Sequence, residues 1–237
     1  MSEPALSVVV PALDEEDRLP RTLERIASHL ARRGEACEVI VVDDGSRDRT
    51  AARAEAAGAT VLRNETNRGK GFAVRRGMLA ARGARRLMTD ADLSTPIEEV
   101  DRLCARMDEG DDVVVGSRAL PGSRIEVRQP WYRENSGRLF NLFVRALAVP
   151  GVRDTQCGFK LFSAAAARDV FSAARLDGFS FDVEALFLAR QKGYRIAEVP
   201  VRWRNDAASR VSLVRGFLAF PDLLRIRAND WSGRYGL

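Results

Sequence analysis

The sequence is poor in the residues that most often build catalytic centres and metal sites. It contains one histidine, His29, among 237 residues, so a histidine base or a histidine-ligated metal has little support. We expect His29 in a surface helix, without a catalytic role. The three cysteines, Cys37, Cys104 and Cys157, are far apart and form no C-x-x-C motif. They indicate reduced, mostly buried thiols in a cytosolic protein and argue against a zinc site.

Long hydrophobic runs are also missing. No stretch of 18 or more apolar residues occurs, so we predict no membrane-spanning helix. The first apolar segment begins a few residues after Met1, and we expect no signal peptide there. Acidic residues are outnumbered, since 38 Lys and Arg against 33 Asp and Glu give a formal charge of +5. That balance suits phosphate ligands, an anionic lipid surface or nucleic acid.

What is present is an alternation of strands and helices. Short continuous apolar segments predict buried strands, and apolar residues three to four positions apart predict helices between them. The alternation predicts an α/β fold with a mostly parallel sheet flanked by helices. The predicted strands are Leu6–Val10, Val39–Val42, Thr60–Leu62, the segment before Asp90, Val113–Val115 and Ile196–Trp203. The predicted helices are Arg18–Arg33, Asp48–Ala57, Gly71–Ala81, Ile97–Met107, Asn135–Leu147, Ala164–Ala173 and Val183–Lys192.

Several carboxylates follow the predicted strands. Asp90 and Asp92 come after a short apolar run, and alternation along an extended chain would point both to the same side. Two such carboxylates can bind one hard cation. Pro11 and the pair Asp43 and Asp44 also follow strand ends. Because ligands of such sheets bind outside the carboxyl ends of the strands, we predict one binding rim that contains these groups.

Two loop motifs allow more than one interpretation. The segment Asp43–Ser46 is compatible with a simple turn and helix cap, or with nucleotide binding by one of its carboxylates. The segment Asn67–Gly71 resembles a phosphate cradle, in which glycines allow close approach and Lys70 supplies charge. It matches neither the P-loop nor the dinucleotide-binding glycine motif.

The second half of the sequence is less regular. Pro121–Trp131 is predicted to be a polar loop. The predicted helix Asn135–Leu147 has one apolar face, which either packs into the core or lies on a membrane interface. The segment Val211–Arg227 is apolar with scattered arginines and is interrupted by Pro221, and it is a second candidate for docking on anionic lipid.

Taken together, these segments resemble glycosyltransferase family 2, whose fold is called GT-A. Within that family the chain particularly resembles polyprenyl-phosphate (dolichyl-phosphate) sugar synthases of the β-glucosyltransferase branch. The resemblance extends from about Ser7 to about Arg210. The segments that carry the family resemblance are Val8–Glu16, Val41–Ser46, Asn67–Gly71 and Asp90–Asp92; those that carry the finer match are Asp90–Pro96, Gly116–Arg118, Asp154–Lys160 and Phe181–Glu184.

The resemblance implies one GT-A domain over residues 1–237, with a nucleotide-sugar half (1–118) and an acceptor half (119–237). It implies inverting transfer of a hexose to a polyprenyl or dolichyl phosphate, with UDP-glucose favoured as donor and GDP-mannose as the alternative. It further implies that Asp90 and Asp92 hold Mg²⁺ or Mn²⁺, and that Asp92 and Asp182 are catalytic. The residues expected to contact the nucleotide sugar are Pro11, Leu13, Glu15, Asp43, Asp44, Gly69, Lys70 and Asp90.

The acceptor side is expected to use basic residues, because the arginine guanidinium matches phosphate geometry. Leu13 stands where relatives usually carry tyrosine, which weakens a stacking role at that position. We expect a cytoplasmic protein, peripheral on the cytoplasmic face of the membrane, with no nucleic-acid partner and with its oligomeric state open. The residues proposed to hold the acceptor phosphate are Arg118, Arg138, Lys160 and Arg210.

Three other classes remain as alternatives. The sequence Asp90-x-Asp92-x-Ser94 superficially resembles the D-x-D-x-T motif of haloacid-dehalogenase phosphatases, in which the first Asp is a nucleophile. That motif normally lies on the first strand of its domain, whereas here at least three strands precede it. Sugar nucleotidyltransferases share the architecture but need a glycine- and arginine-rich loop where this chain has Pro11–Glu16. A non-catalytic basic module that binds lipid or nucleic acid would explain the charge but not the rim of carboxylates.

Overall fold

The computed structural model describes residues 3–127, 144, 148–204 and 219–236. Strands and helices alternate along the chain, as the apolar pattern predicts. The described strands are β1 (Leu6–Ala12), β2 (Cys37–Asp43), β3 (Thr60–Arg63), β4 (Arg85–Thr89), β5 (Val113–Ser117), β6 (Arg124–Val127), β7 (Phe159–Ser163), β8 (Ile196–Pro200) and β9 (Arg202–Arg204). The described helices are α1 (Leu19–Arg33), α2 (Thr50–Ala56), α3 (Lys70–Ala80), α4 (Val100–Asp108), α5 (Ala164–Ala173), α6 (Phe181–Gln191) and α7 (Ala219–Trp231), and a 3₁₀ turn (Ile97–Glu99) precedes α4.

Seven strands form one sheet in the order β3-β2-β1-β4-β7-β5-β8. Of these seven, β7 alone runs antiparallel to its neighbours, so the prediction of a mostly parallel sheet is confirmed. The sequence analysis missed β7. Its register places Phe159 opposite Thr89, at the end of β4. The chain that enters β7 therefore reaches the same rim as the chain that leaves β4.

Strand β1 continues past the proline at which it was predicted to stop. Pro11 and Ala12 still pair with β2, whereas the pairing with β4 ends at Val9. The carbonyl of Ala12 accepts from the Asp44 N–H on the β2 side, so Pro11 faces the other side, beyond the last pair with β4. A missing N–H is tolerated there because no neighbouring strand needs it.

The hydrophobic core lies on both faces of the sheet. Val9, Val42 and Met88 pack with α3, α5 and α6 on one face, and Val8 and Val41 pack with α1 and α4 on the other. Alternate residues of one strand point to opposite faces, so these continuous apolar strands need helices on both sides.

The sole histidine corrects one expectation. His29 lies in α1, as predicted, but its side chain is buried and not on the surface. Its Nε2 atom is 3.3 Å from a carboxylate oxygen of Asp101 in α4. His29 therefore links α1 and α4, which lie on the same face of the sheet. Cys104 and Cys157 are buried and Cys37 is partly buried, all as free thiols.

The second half departs from the predicted pattern. Within the expected loop Pro121–Trp131, residues 124–127 form β6, which pairs in parallel with β9. Of the segment 211–227, residues 211–218 lie outside the described residues, and the remainder belongs to α7, with Pro221 in the first turn, where proline is tolerated. The predicted helix over residues 135–147 lies outside the described residues except for Val144, which is buried. Within the described ranges, no helix is long and apolar enough to cross a membrane.

Candidate active site

The first carboxylate of the predicted pair lies directly after β4. Lys70, the first residue of α3, places its Nζ atom 2.6 Å from Asp90 Oδ1. The other oxygen, Oδ2, lies against Gly158, just before β7, where an added Cβ would come within 2.0 Å of it. Although burial disfavours the charged ammonium, Asp90 and then Asp182 raise the pKa of Lys70. Asp90 is thus held between the partly buried Lys70 ammonium and a backbone that leaves room for nothing larger than glycine.

The second carboxylate is placed by a turn and not by an extended strand. Strand β4 ends at Thr89, and the chain then turns so that the Leu93 N–H donates to the Asp90 carbonyl, with Leu93 at a φ of 45°. The Ser94 N–H donates to Asp92 Oδ1 at 2.8 Å. Burial and the adjacent Asp90 charge raise the pKa of Asp92. A turn, and not the alternation along an extended strand that the sequence suggested, therefore sets the positions of the two carboxylates.

This pair has the chemistry of a site for a hard divalent cation. In the described part of the chain, no three His, Cys, Asp or Glu side chains form a complete ligand set. Mg²⁺ does not require one, since it is usually bound by one or two carboxylates together with phosphate oxygens and water. Two oxygen donors whose mutual repulsion a cation would relieve fit Mg²⁺ or Mn²⁺.

A third carboxylate, Asp43, ends β2 at the same rim and is fully buried. Its Oδ1 accepts a hydrogen bond from the Ser46 N–H at 3.0 Å. The Nε of Arg63 lies 3.3 Å from Oδ2, but within the described residues Oδ2 has no hydrogen-bond partner. Buried carboxylate oxygens are normally hydrogen-bonded, so Oδ2, which faces the Arg63 charge, retains the capacity to accept one more hydrogen bond.

The neighbouring Asp44 has a different role from that predicted. Its Oδ1 accepts from the Asn64 side chain at 2.7 Å and from the Arg68 N–H at 3.0 Å, and its Oδ2 accepts from the Gly69 N–H at 2.8 Å. Both oxygens are therefore used to hold the loop that leads to Lys70. This arrangement argues against the direct nucleotide contact expected for Asp44.

The same loop is not the phosphate cradle predicted from its glycines. The N–H groups of Gly71 and Phe72 both donate to the carbonyl of Asp177, at 2.8 and 3.3 Å. Gly69 has a φ of 103°, and an added Cβ there would lie 2.4 Å from that carbonyl. These backbone N–H groups therefore donate to groups within the protein, and the glycines are needed because the segments pack closely. What the loop presents to the rim is the Lys70 ammonium.

The end of β1 and the loop after it carry three of the predicted donor contacts, Pro11, Leu13 and Glu15, all partly exposed. The Glu15 carboxylate binds the Arg18 guanidinium, with Nε 2.8 Å from Oε2 and Nη2 2.7 Å from Oε1. The Glu15 N–H donates to Thr50 Oγ1 at 2.8 Å, which ties this loop to the first residue of α2. The structure therefore places all three at the rim next to Asp43, with the Glu15 carboxylate already paired.

Asp182 and Lys160 form a buried ion pair. The Lys160 side chain is 1% exposed, and its Nζ donates to the Cys157 carbonyl at 2.6 Å and to Asp182 Oδ1. Burial raises the pKa of Asp182 despite the opposing charges of Lys160 and Lys70. An ammonium enclosed in this way cannot also hold an acceptor phosphate, so that prediction for Lys160 is wrong.

Of the other basic residues predicted on the acceptor side, Arg118 can be assessed. It follows β5, and its Nε and Nη2 bind the two oxygens of Asp154 at 2.7 and 2.8 Å. Although burial opposes ionisation, the Arg118 guanidinium holds the pKa of Asp154 below its ordinary value. Arg118 is a quarter exposed, so its outer edge can face a ligand. Arg138 and Arg210 lie outside the described residues.

The model of the family described as glycosyl transferase family 2 matches residues 7–171, more than half of the chain. The chain belongs to this family.

Relatives of this family 2 chain include proteins named dolichyl-phosphate beta-glucosyltransferase. The one from Dictyostelium discoideum is 35% identical over 240 residues, which cover 94% of this chain and 73% of the relative. The one from Homo sapiens is 36% identical over 251 residues, which cover 98% of this chain and 78% of the relative. The similarity therefore extends over nearly the whole chain, as the sequence motifs predict.

Solved structures that resemble this glycosyltransferase include glucosyl-3-phosphoglycerate synthase from Mycobacterium tuberculosis. A crystal structure of that protein in complex with Mn²⁺, uridine diphosphate and glucosyl-3-phosphoglycerate has a TM-score of 0.69 and 22% identity, and the match covers 94% of this chain and 80% of that one. A complex with Mg²⁺ and uridine diphosphate has a TM-score of 0.68 over 94% and 79% of the two chains. At this identity the comparison confirms the GT-A fold.

Sequence reasoning missed some residues that shape the site of this family 2 chain. Gly158 and Asp154 lie in a segment that supported the family resemblance, yet no role was assigned to either. Glu184, in another segment of the finer match, is fully buried. Its oxygens accept from the N–H groups of Arg175 and Leu176 and from the Tyr235 hydroxyl. No local sequence signal reveals the Glu184–Tyr235 and Arg118–Asp154 contacts, because their partners lie 51 and 36 residues apart in the chain.

Proposed function

We propose that this chain is an inverting, metal-dependent glucosyltransferase that transfers glucose from UDP-glucose to a polyprenyl or dolichyl phosphate. The observation that carries the proposal is the convergence of three carboxylates, Asp90, Asp92 and Asp43, at the strand ends of one rim. Relatives with at least 35% identity over nearly the whole chain are named dolichyl-phosphate beta-glucosyltransferases, which supports this donor sugar and acceptor class.

Donor binding would use the two ends of this rim. Asp43 Oδ2 would accept a hydrogen bond from an N–H of the base, with Pro11, Leu13 and Glu15 around base and ribose. Asp90 and Asp92 would hold Mg²⁺ or Mn²⁺ against the diphosphate. The metal, when bound, neutralises charge that develops on the departing nucleotide.

The reaction needs little acid–base chemistry from the protein. A phosphate monoester has a second pKa of about 6, so the acceptor is largely ionised near neutrality and can attack without a strong base. Its oxygen forms a bond to the anomeric carbon as the bond to UDP breaks, and attack from the opposite face inverts the configuration. Asp182, enclosed with Lys160, would act by orienting Lys70 and Asp90 rather than by taking up a proton. Positioning and charge neutralisation then supply most of the rate.

The two halves of the chain would bind different substrates. Residues 1–118 would bind the nucleotide sugar and residues 119–237 the acceptor, in one GT-A domain. Arg118, Arg138 and Arg210 would contact the acceptor phosphate. The protein would work at the cytoplasmic face of a membrane as a peripheral protein, since its acceptor is a lipid.

The test is a transfer assay with a donor panel and an acceptor panel. UDP-glucose, UDP-galactose and GDP-mannose are each offered with Mn²⁺ and a short-chain polyprenyl phosphate, and the anomeric configuration of the product is read by NMR. We expect β-linked glucose from UDP-glucose only. Transfer from GDP-mannose would replace the donor assignment, transfer only to a soluble ester such as 3-phosphoglycerate would refute the acceptor, and phosphate release without transfer would favour the phosphatase alternative.

A further inference from the structure

Helix α7 (Ala219–Trp231) is anchored to the protein by one side. Leu223 and Ile226 are buried in the main core cluster. Just beyond the helix, Tyr235 is also buried, and its hydroxyl donates to Glu184 Oε1 at 2.8 Å. The orientation of the helix about its own axis is therefore fixed, and a defined opposite side faces solvent.

That opposite side carries a row of apolar residues. Pro221, Leu224, Ala228 and Trp231 are all exposed, and their spacing of three, four and three places them along one face of the helix. We call these four residues the α7 stripe. Leu224 is 67% exposed and Trp231 is 78% exposed, and they are the two most exposed large apolar side chains in the described part of the chain. With a rise of about 1.5 Å per residue, the stripe is about 15 Å long.

Positive charge flanks the α7 stripe on both sides. Arg225 pairs with Asp222 at 3.0 Å, and Arg227 pairs with Asp230 at 3.5 Å. The two partners of each pair are unequally exposed. The arginine side chains are 70% and 35% accessible, whereas those of the aspartates are 17% and 18% accessible. The charge that this side of the helix exposes to solvent is therefore mainly that of the arginines. The Arg227 guanidinium also lies 5.5 Å from the centroid of the Trp231 ring.

We propose that the α7 stripe docks on the surface of an anionic lipid bilayer. A helix with an exposed tryptophan and leucine on one face and arginines beside them has the composition of a helix that lies in the interface plane. Tryptophan is favoured at the level of the headgroups, and nearby arginines attract anionic lipids. This inference rests on the proposed function, because it names the surface from which the lipid acceptor would be taken.

The test measures binding of the full chain to sedimenting vesicles. Vesicles of phosphatidylcholine alone are compared with vesicles of equal parts phosphatidylcholine and phosphatidylglycerol. We expect the protein to bind the mixed vesicles, and the double variant Leu224→Ser/Trp231→Ser to bind them at least about tenfold more weakly, because it loses the apolar area that the bilayer would bury. Arg225→Gln/Arg227→Gln should weaken binding to the mixed vesicles alone. Leu79→Ser, at an exposed apolar position in α3, is the matched control and should bind as the unchanged protein does.

Three results would overturn this proposal: failure of the unchanged protein to bind either vesicle, equal binding by the Leu224→Ser/Trp231→Ser variant, or a dimer in solution that this variant converts to a monomer. Transfer of glucose to a water-soluble short-chain polyprenyl phosphate tests the proposed function without requiring the docking surface. The stripe variant should retain that activity in full. An unchanged protein that binds vesicles yet transfers no sugar would refute the proposed function and leave the docking surface standing.

Discussion

The Gly158→Ala substitution tests how Asp90 is positioned. An added Cβ would lie 2.0 Å from Asp90 Oδ2 and 2.5 Å from its Cγ, whereas real Cβ contacts are essentially never shorter than 3.0 Å. The carboxylate must therefore withdraw by about 1 Å, the difference between 3.0 and 2.0 Å. The side chain of Asp90 is about a third exposed, so it can move into solvent and the fold can survive.

Activity should fall more than stability does. A misplacement of about 1 Å in a catalytic group costs on the order of 100-fold in rate, which corresponds to about 2.7 kcal/mol of transition-state stabilisation. Overpacking one methyl group costs about 1–3 kcal/mol of folding free energy. We expect kcat/KM for transfer from UDP-glucose to drop about 100-fold in Gly158→Ala, with a rise of about 10-fold or more in the Mn²⁺ concentration needed for half-maximal rate.

The matched control is Gly178→Ala, because an added Cβ at Gly178 meets nothing within 4 Å. This variant should keep the activity and Mn²⁺ requirement of the unchanged protein. Circular dichroism and urea unfolding establish that both variants are folded. If Gly158→Ala is folded and transfers glucose at the original rate with the original Mn²⁺ requirement, the contact between Gly158 and Asp90 does not position the metal site.

Three further predictions follow from the charged pairs. Lys160→Met leaves Asp182 as an uncompensated buried charge and should lower the free energy of unfolding in urea by about 3–5 kcal/mol. The double variant Lys160→Met/Asp182→Leu should recover part of that loss. Equal stability of the single and double variants would contradict this prediction. The ion pair with Arg118 holds the pKa of Asp154 low. The stabilisation from this pair is therefore present above the ordinary Asp pKa of about 3.9 and is lost as pH falls through the folded-state pKa. Asp154→Asn should make the free energy of unfolding less dependent on pH in that acid range, and an unchanged pH profile would refute this prediction. Lys70→Met should lower kcat/KM by about 100-fold, and an effect on melting temperature alone would show that Lys70 is only structural.

Most of the fold was predictable because buried parallel strands leave a strong pattern. The apolar runs before Asp43 and Asp90 and around Val113–Val115 all form strands of the sheet. Strand β7 was missed because a five-residue segment, Phe159–Ser163, carries no periodicity of its own, and its antiparallel insertion between β4 and β5 depends on long-range pairing. Strand β6, Arg124–Val127, does alternate polar and apolar residues, but it lies within a segment whose arginines and prolines indicated a loop.

The candidate site was predictable in its residue types but not in its contacts. Strand ends identified Asp43, Asp90 and Asp92, because carboxyl ends of parallel strands share one edge of the sheet. The partners of Asp44 and Lys160 could not be predicted. Asp44 accepts hydrogen bonds from backbone N–H groups of a later loop, and Lys160 pairs with the buried carboxylate of Asp182. Both contacts form only once distant segments are folded together. A charged residue in a motif can therefore hold the protein backbone or another side chain instead of the ligand.

The account depends most on the claim that Asp90 and Asp92 hold a divalent cation against the donor diphosphate. Calorimetric titration of UDP-glucose, with Mn²⁺ and with EDTA, into the unchanged protein, Asp92→Asn and the surface control Asp108→Asn tests it directly. We predict that Mn²⁺ tightens binding by at least about 10-fold in the unchanged protein and in Asp108→Asn, and that Asp92→Asn loses this gain. Equal binding of UDP-glucose in Mn²⁺ and EDTA, or an undiminished Mn²⁺ effect in Asp92→Asn, would contradict the account.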